Sequence, residues 1–244
     1  MNDFNELASD YERSLEKPDK KYSILPTILD LAVPLKERII SDLGCGSGFF
    51  AEAFLKEGAK RVYGIDNSEK QLKRAKQRKN ITYLLQDIFT NQIPFSDIIS
   101  APFVINYANS ACHLKQLLRN IYESLNKKGK LIGAIDLPNN SYNQKILKKR
   151  KKWGATKKIL RVNANSLEFP IIEITLFDKS EEICKLHSSF ISPSLLESIL
   201  EQKGFQDIVW HNPIISQEGL NKFDMPFWQD YQKYCELAYF TASK

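Results

Sequence analysis

The feature that most constrains the fold is a glycine-rich run that follows an apolar segment. Residues 42–48 read DLGCGSG, and a second apolar segment, residues 61–65, leads to Asp66. This order predicts a strand, a tight loop, a helix and a second strand that ends on an acidic residue. Such an arrangement builds a nucleotide-type pocket at the carboxyl edge of a parallel sheet. The carboxylate of Asp66 can then accept hydrogen bonds from both hydroxyls of a ribose.

The spacing within the loop indicates which nucleotide-type ligand it binds. The dinucleotide fingerprint is Gly-x-Gly-x-x-Gly, but here the third glycine comes one residue early and Phe49 occupies its place. Asp42 stands at the strand tip, where its carboxylate would repel a pyrophosphate and tolerate a cationic ligand. S-adenosylmethionine has no phosphate and carries a sulfonium and an ammonium group. The loop therefore favours this ligand and disfavours a nicotinamide cofactor.

The loop resembles that of the class I S-adenosylmethionine-dependent methyltransferases, small-molecule type. The opening residues 4–11 (FNELASDY) and residues 21–22 (KY) are similar to the N-terminal cap of toxoflavin-synthase-like members. Residues 86–88 (QDI) stand where that family places an acidic residue against the adenine amino group, and Gly204-Phe205 resembles its closing elements. The resemblance covers nearly the whole chain. It implies that Tyr11 and Tyr22 reach back over the cofactor.

The loop, the second strand and the resemblance together nominate a set of residues that contact S-adenosylmethionine. Asp66 is assigned to the ribose and Asp87 to the adenine, while Asn67 would lie beside the adenine. We expect the cofactor to contact Tyr11, Tyr22, Asp42, Gly44, Cys45, Gly46, Gly48, Asp66, Asn67, Gln71, Gln86, Asp87, Ile88, Ala101 and Phe103.

Three side chains are candidates for catalysis. Tyr107 lies in a loop after the predicted fourth strand, His113 opens the next helix, and His187 lies on a strand expected to border the acceptor. A histidine there could act as a general base. No base is strictly required, because the sulfonium already activates the methyl group and alignment alone accelerates the transfer. No pair of histidines has metal-ligand spacing on one helix, so we expect no metal site.

Alternating strand and helix patterns predict an α/β fold with a doubly wound, mostly parallel seven-stranded sheet of the Rossmann-like methyltransferase type. We expect strands at 38–43, 61–65, 81–86, 97–101, 130–135, 205–210 and 234–241, and an antiparallel hairpin at 171–177 and 182–190. The whole chain is read as one domain. Its predicted parts are a helical cap (1–35), a cofactor-binding core (36–136), a basic segment with a hairpin lid (137–191) and a C-terminal core (192–244).

The charge of the chain is concentrated in one segment. The net charge is +6, but residues 145–158 hold eight basic side chains and no acidic one, so the remainder carries −2. Such a run can bind phosphate backbones, but it is more often solvated surface, and we expect the latter. Four scattered cysteines, no apolar leader and no apolar run long enough for a membrane span favour a cytoplasmic protein without a membrane partner.

These features predict an enzyme that transfers a methyl group from S-adenosylmethionine to an oxygen, nitrogen or carbon atom of a small-molecule acceptor, releasing S-adenosylhomocysteine. One alternative is a methyltransferase acting on RNA, DNA or protein through residues 145–158. A second is a non-catalytic S-adenosylmethionine-binding protein, because the sequence reveals no indispensable catalytic residue. The acceptor and the oligomeric state stay open.

Overall fold

The computed structural model describes residues 3–138, 144–160 and 168–244. Ten strands are present in these ranges. In chain order they are β1 (Ile39–Leu43), β2 (Arg61–Asp66), β3 (Ile81–Leu85), β4 (Ser96–Pro102), β5 (Leu125–Asp136), β6 (Ala155–Ile159), β7 (Ile171–Asp178), β8 (Glu181–Ser189), β9 (Gln206–His211) and β10 (Leu237–Ser243). The predicted lid includes residues 139–143 and 161–167, which lie outside the described part of the chain.

Seven of the strands form one sheet in the order β3-β2-β1-β4-β5-β10-β9. Strands β1 to β5 run parallel to one another, and β10 is antiparallel to both β5 and β9. The predicted doubly wound, mostly parallel sheet is confirmed. Because the first five strands run the same way, their carboxyl ends share one edge, and Asp66 and Asp136 are brought to that edge.

Nine α-helices accompany the strands in the described ranges. They are α1 (Ala8–Arg13), α2 (Leu25–Ala32), α3 (Phe49–Lys56), α4 (Glu69–Arg74), α5 (Ala111–Ser124), α6 (Gln144–Trp153), α7 (Pro193–Gln202), α8 (Gln217–Lys222) and α9 (Met225–Tyr234). Local sequence explains several of their starts. Ser68, Ser110 and Ser192 each accept a backbone N–H from three residues ahead, so each caps a helix with a residue type that is favoured at this position.

Helices cover both faces of the main sheet. On one face α2 and α3 bury Ile28 and Phe54 against strands β1, β2 and β4. On the other face α5 and α7 bury a second apolar cluster, to which α5 contributes Leu114 and Leu118 on its inner side. Each such side chain contributes about 1.5–3 kcal/mol when it is fully buried. The two-sided burial leaves nearly every side chain of β1 and β4 buried, including the polar side chains of Ser41 and Ser100.

The predicted antiparallel hairpin is present as β7 and β8, but it is part of a three-stranded sheet in the order β6-β7-β8. The third strand, β6, comes from the basic segment, as does helix α6. The expectation that this segment is solvated surface is therefore wrong in part. A segment with two adjacent lysines, Lys157 and Lys158, can form a strand when a partner edge such as β7 pairs with it.

The C-terminal region also differs from the prediction. Helices α8 and α9 stand between β9 and β10, and the last strand begins at Leu237 instead of residue 234. Asp224 caps α9 by accepting the N–H of Phe227, and Pro226 occupies its first turn. Within the described residues, no helix combines the length and the apolar character that a bilayer crossing demands.

Candidate active site

A cavity of about 470 Å³ opens at the carboxyl edge of the main sheet. Its volume lies in the range of small-molecule and cofactor sites. The loops after β1, β2, β3 and β4 and the N-terminal segment form its walls. The lining residues are Asp3, Phe4, Asn5, Tyr11, Gly44, Gly46, Ile65, Asp66, Asn67, Ser68, Gln71, Gln86, Asp87, Ile88, Phe89, Pro102, Phe103, Val104, Tyr107 and His113.

The glycine loop after β1 has a backbone that other residues could not adopt at the same cost. Gly44 and Gly48 have positive φ angles of 62° and 88°. A Cβ atom at Gly44 would collide with the side chain of Val104, and one at Gly48 would collide with the hydroxyl of Tyr83. The loop therefore needs glycine at these positions for both conformation and space.

Asp66 is held in a fixed orientation at the rim of this cavity. One carboxylate oxygen accepts the N–H of Gly46 at 2.8 Å and the other accepts the N–H of Ser68 at 2.8 Å. Burial raises the pKa of Asp66, while these backbone donors oppose the rise. A carboxylate oxygen accepts more than one hydrogen bond, so Asp66 retains acceptor capacity toward a ligand.

Two buried polar side chains beside the loop have atoms without a partner among the described residues. Asp42 accepts the hydroxyl of Ser100 at 3.1 Å through one oxygen, but its second oxygen has no hydrogen bond. Neither the amide nitrogen nor the amide oxygen of Gln71 has a partner. Burial raises the pKa of Asp42 to about 7. Buried polar atoms are normally satisfied, so these atoms fit a site that a polar or cationic ligand completes.

The far end of the cavity is formed by the loop after β3. Asp87 is exposed there, and its side chain accepts the N–H of Phe89 at 2.9 Å. The ring of His113 packs on Phe89 with 3.8 Å between the ring centroids. His113 therefore lies at the end that holds Gln86, Asp87 and Ile88.

The N-terminal segment covers the cavity and is tied to the rim. The side-chain oxygen of Asn5 accepts the hydroxyl of Ser68 at 2.8 Å and the N–H of Lys70 at 3.1 Å. Phe4 packs edge-on against both Tyr11 and Tyr107. These contacts place aromatic side chains of the cap over the cavity.

A second, smaller cavity of about 90 Å³ adjoins the first. Tyr11, Phe103 and Tyr107 line both cavities and so form the wall between them. We call the second cavity the inner chamber. Its other lining residues are Ser14, Lys17, Asp19, Lys20, Ile24, Asp136, Arg150, Trp153, Ala155, Lys157, Ile174, Leu176, Leu186, Tyr231, Tyr234, Cys235, Glu236 and Leu237.

The inner chamber contains an unusual number of buried charges. Three ion pairs involve cations of the chamber and carboxylates of three different segments. The pairs are Lys17–Asp19 at 3.8 Å, Arg150–Glu236 at 3.1 Å and Lys157–Asp136 at 2.6 Å. Buried charges of this kind are tolerated when they are paired and hydrogen-bonded.

Lys20 is the fourth cation of the chamber and is only 6% exposed. No carboxylate of the described chain lies within 4 Å of its ammonium, which instead faces the rings of Phe49, Phe50 and Phe103 at 5.5, 4.6 and 5.0 Å. Burial, and then the charge of Lys17, lower the pKa of Lys20 to about 7.

Most of the residues predicted to contact the cofactor are brought together by the fold. Those that line the first cavity are Tyr11, Gly44, Gly46, Asp66, Asn67, Gln71, Gln86, Asp87, Ile88 and Phe103. Asp42, Cys45, Gly48 and Ala101 lie behind this lining. Ala101 packs in the core next to the loop that carries Phe103, and Cys45 is buried against Gly64.

Two predicted residues lie elsewhere. Tyr22 packs in an aromatic cluster with Trp153 and Trp228 instead of over the cavity. His187 is on β8, where side chains alternate between the two faces, and it is on the exposed face beside Glu173. Its neighbour Leu186 faces the chamber instead. His187 therefore misses the lining of the chamber by one position in the strand.

Sequence reasoning missed the charged residues of the inner chamber. A buried lysine and a more exposed one look alike in sequence, and the neighbours Lys20 and Lys21 are buried and half-buried. The partners Asp136, Arg150 and Glu236 are far apart along the chain, so only the tertiary fold brings them together. No local sequence pattern around these residues predicts that they share a buried chamber.

Comparison with known proteins is consistent with this architecture. Residues 40–129 match the family described as "Methyltransferase domain". The chain is 31% identical over 125 residues to an uncharacterised protein of Haemophilus influenzae, covering 46% of this chain and 48% of that protein. It is 30% identical over 138 residues to a ubiquinone biosynthesis O-methyltransferase of Coxiella burnetii, covering 52% and 57%. The chain thus spans about half the length of these curated relatives.

Among solved structures, an S-adenosylmethionine-dependent methyltransferase of Mesorhizobium loti superposes with a TM-score of 0.63 at 17% identity. The superposition covers 95% of this chain and 100% of that one. At this identity the likeness establishes the fold. The chain has the Rossmann-like methyltransferase fold, and the match to the methyltransferase-domain family covers residues 40–129.

Proposed function

We propose that this chain, whose residues 40–129 match a family of methyltransferase domains, transfers a methyl group from S-adenosylmethionine to a small-molecule acceptor. The observation that carries the proposal is the pair of adjoining cavities. One is lined by the glycine loop and Asp66, and the other is the inner chamber, with Tyr11, Phe103 and Tyr107 between them. A donor in the first and an acceptor in the second would meet at this aromatic wall.

The residues around the first cavity fit the chemical groups of S-adenosylmethionine. Asp66 has acceptor capacity left for ribose hydroxyls, and Asp42 offers a buried carboxylate to the cationic end of the molecule. The amide of Gln71 can satisfy further polar groups. Asp87 stands at the end assigned to the adenine.

The aromatic wall would orient the reacting groups. When bound, S-adenosylmethionine supplies a methyl group that its sulfonium has already activated. The rings of Tyr11, Phe103 and Tyr107 attract a cation placed against their faces. Holding two reactants in line is equivalent to an effective molarity of about 10⁵ M or more. The cap, tied down through Asn5 and Ser68, would keep water from the junction.

Tyr107 is the predicted catalytic residue with the most favourable position, since it lines both cavities. We assign it a contact with the acceptor or the methyl group. Tyr11 lies in the same wall, and burial together with the nearby carboxylates of Asp66 and Asp136 raises its pKa. At neutral pH Tyr11 therefore keeps its proton and can donate a hydrogen bond. His113 fits the adenine end better than a role as a base.

The small size of the inner chamber supports a small-molecule acceptor over a polymer. The basic segment gives little support to the polymer alternative, because its charges are divided between internal and external positions. Arg150 and Lys157 are used in buried ion pairs, and Lys149 pairs with Asp230. The likeness to toxoflavin-synthase-like enzymes stays a prediction.

The test is methyl transfer from radiolabelled S-adenosylmethionine into a cell extract that is then separated by size. We expect label in the small-molecule fraction with the wild-type chain and less with Asp66→Ala. Label in the macromolecular fraction would instead support action on a polymer, and nuclease or protease sensitivity would identify which. Saturable binding of S-adenosylhomocysteine without label in any fraction would support a non-catalytic binding protein.

A further inference from the structure

We propose that the inner chamber is an anion subsite, in which Lys20 binds a carboxylate or phosphate group of the acceptor. This inference deepens the proposed function and rests on it for the role of the bound molecule as methyl acceptor. The binding of an anion at Lys20 itself depends only on the chamber. The acceptor class that follows is a small organic acid or phosphate ester.

The first step is the balance of charge in the chamber. Its described lining has four cationic side chains and three carboxylates. Three of the cations are in the ion pairs described above, each with its own carboxylate. Lys20 is the cation left over, so the chamber as a whole has one positive charge more than its carboxylates balance.

The second step is the environment of Lys20. Its ammonium lies among three phenylalanine rings, of which that of Phe103 also lines the first cavity, which we call the donor cavity. Ring faces attract a cation, but they do not replace the water or the counter-ion that burial removes. The low pKa of Lys20 reflects this cost. An anionic group in the chamber would offset this desolvation cost by accepting a charge-assisted hydrogen bond from the ammonium.

The third step is position and space. Lys20 begins a π-helical turn (Lys20–Ile24) that leads into α2, and such turns are frequent at functional sites. A water molecule needs about 10–15 Å³ of cavity, so a chamber of about 90 Å³ admits a group of several heavy atoms, the size of a carboxylate or phosphate. An anion held there lies beside Phe103, at the wall shared with the donor cavity.

The charged groups that face Lys20 come from several elements. They are Lys17 and Asp19 on its own segment, Asp42 on β1 and Asp136 on β5. Asp19 and Asp136 are engaged with Lys17 and Lys157, and Asp42 lies toward the donor cavity. An anion that reaches Lys20 therefore interacts mainly with that ammonium, and its affinity depends on whether the ammonium is protonated.

The experiment is a calorimetric titration with two probes, sodium acetate and inorganic phosphate, each added to the chain saturated with S-adenosylhomocysteine. We expect both to bind the wild type, and the tighter probe distinguishes a carboxylate from a phosphate subsite. Lys20→Gln should weaken the binding about tenfold. Lys21→Gln is the matched control, because Lys21 is the partly exposed neighbour that pairs with Glu16, and it should bind as the wild type does.

A second arm uses the wild type alone, in case Lys20→Gln fails to fold. Acetate stays ionised from about pH 6 to about pH 9, whereas Lys20, with its pKa at about 7, loses its charge over that range. Acetate should therefore bind more weakly at the higher pH, and the ionisation of Asp42, whose pKa is also about 7, acts in the same direction. Equal binding by wild type and folded Lys20→Gln, no binding by the wild type, or pH-independent binding would overturn the subsite.

The outcomes for the two proposals are separable. If S-adenosylhomocysteine does not bind, the proposed function fails, and titrations of the ligand-free chain still test the subsite. If S-adenosylhomocysteine binds and neither anion does, the proposed function stands and the anion subsite fails.

Discussion

The donor cavity and the inner chamber lie side by side but are built in opposite ways. The donor cavity draws its main polar groups from consecutive elements, β1 through the loop after β3. Its acids are the half-buried Asp66 at the rim and the buried Asp42 behind the lining, which suit a hydroxyl-bearing and a cationic group. The inner chamber draws on the N-terminal segment, β5, α6, β6 and the residues before β10, and its excess charge is positive. Their electrostatics suit two different molecules, which a transferase has to bind together.

The largest expected effect tests whether the charges of the chamber are part of the fold. Lys157→Met leaves the carboxylate of Asp136 buried without its ammonium. We expect the free energy of unfolding to fall by about 3–5 kcal/mol, measured by urea denaturation. Lys158→Met is the matched control, since Lys158 is exposed, and it should change stability by no more than about 0.5 kcal/mol. Equal effects of the two substitutions would show that the buried ion pair contributes no more to the free energy of unfolding than an exposed lysine does.

The next effect concerns the donor side. Asp66→Ala removes acceptors for the ribose hydroxyls, so binding of S-adenosylhomocysteine should weaken by about 1–3 kcal/mol, measured by calorimetry. Glu69→Ala is the control, because Glu69 is an exposed carboxylate on the same loop-helix segment that pairs with Lys73. Unchanged affinity in the Asp66→Ala variant would contradict the ribose assignment, provided that circular dichroism shows a folded chain.

The contrast between the two cavities also explains how much the sequence could predict. The glycine loop works through local backbone geometry, so its spacing, with Asp66 at the next strand end, identifies the donor site without tertiary information. Strand alternation with helices likewise predicts the main sheet. The ends of β4 and β5 could be expected at the same edge because parallel strands require it.

The parts that were missed depend on pairing between distant segments. Nothing in residues 155–159 indicates a strand until β7 offers an edge, and nothing in Lys20 indicates burial until Phe49, Phe50 and Phe103 enclose it. His187 fails for a related reason. A strand was predicted correctly there, but the face that meets the chamber is set by packing, and a shift of one residue reverses it.

A smaller effect distinguishes a binding residue from a structural one. Lys20 has a pKa of about 7 in the folded chain against 10.5 ordinarily. Between these values the unfolded chain binds more protons, so this lysine makes stability rise with pH across that window and fall as pH drops toward 7. Lys20→Met should therefore stabilise the chain at pH 7, by about 1–2 kcal/mol, and the gain should shrink toward pH 10.

Thermal unfolding across this pH range measures that gain, with Lys21→Met as the control that stays close to wild type. A destabilised Lys20→Met variant would mean that the three rings hold the ammonium as a structural contact. The chamber would then need no anion to balance Lys20, and its contrast with the donor cavity would not hold. Stabilisation combined with weaker acetate binding would instead show a residue kept for function at the expense of stability.

The smallest expected effect is on the surface of the basic segment. Lys148, Lys151, Lys152 and Lys158 are exposed, whereas Arg150 and Lys157 are committed to the chamber. Replacing these four lysines by glutamine should leave turnover of a small-molecule acceptor within about twofold, because exposed surface substitutions rarely alter a distant site. The assay is radiolabel transfer at low and high salt. Loss of turnover at low salt, with folding retained, would reveal phosphate contacts and make the outer face of this segment a second acceptor-binding region.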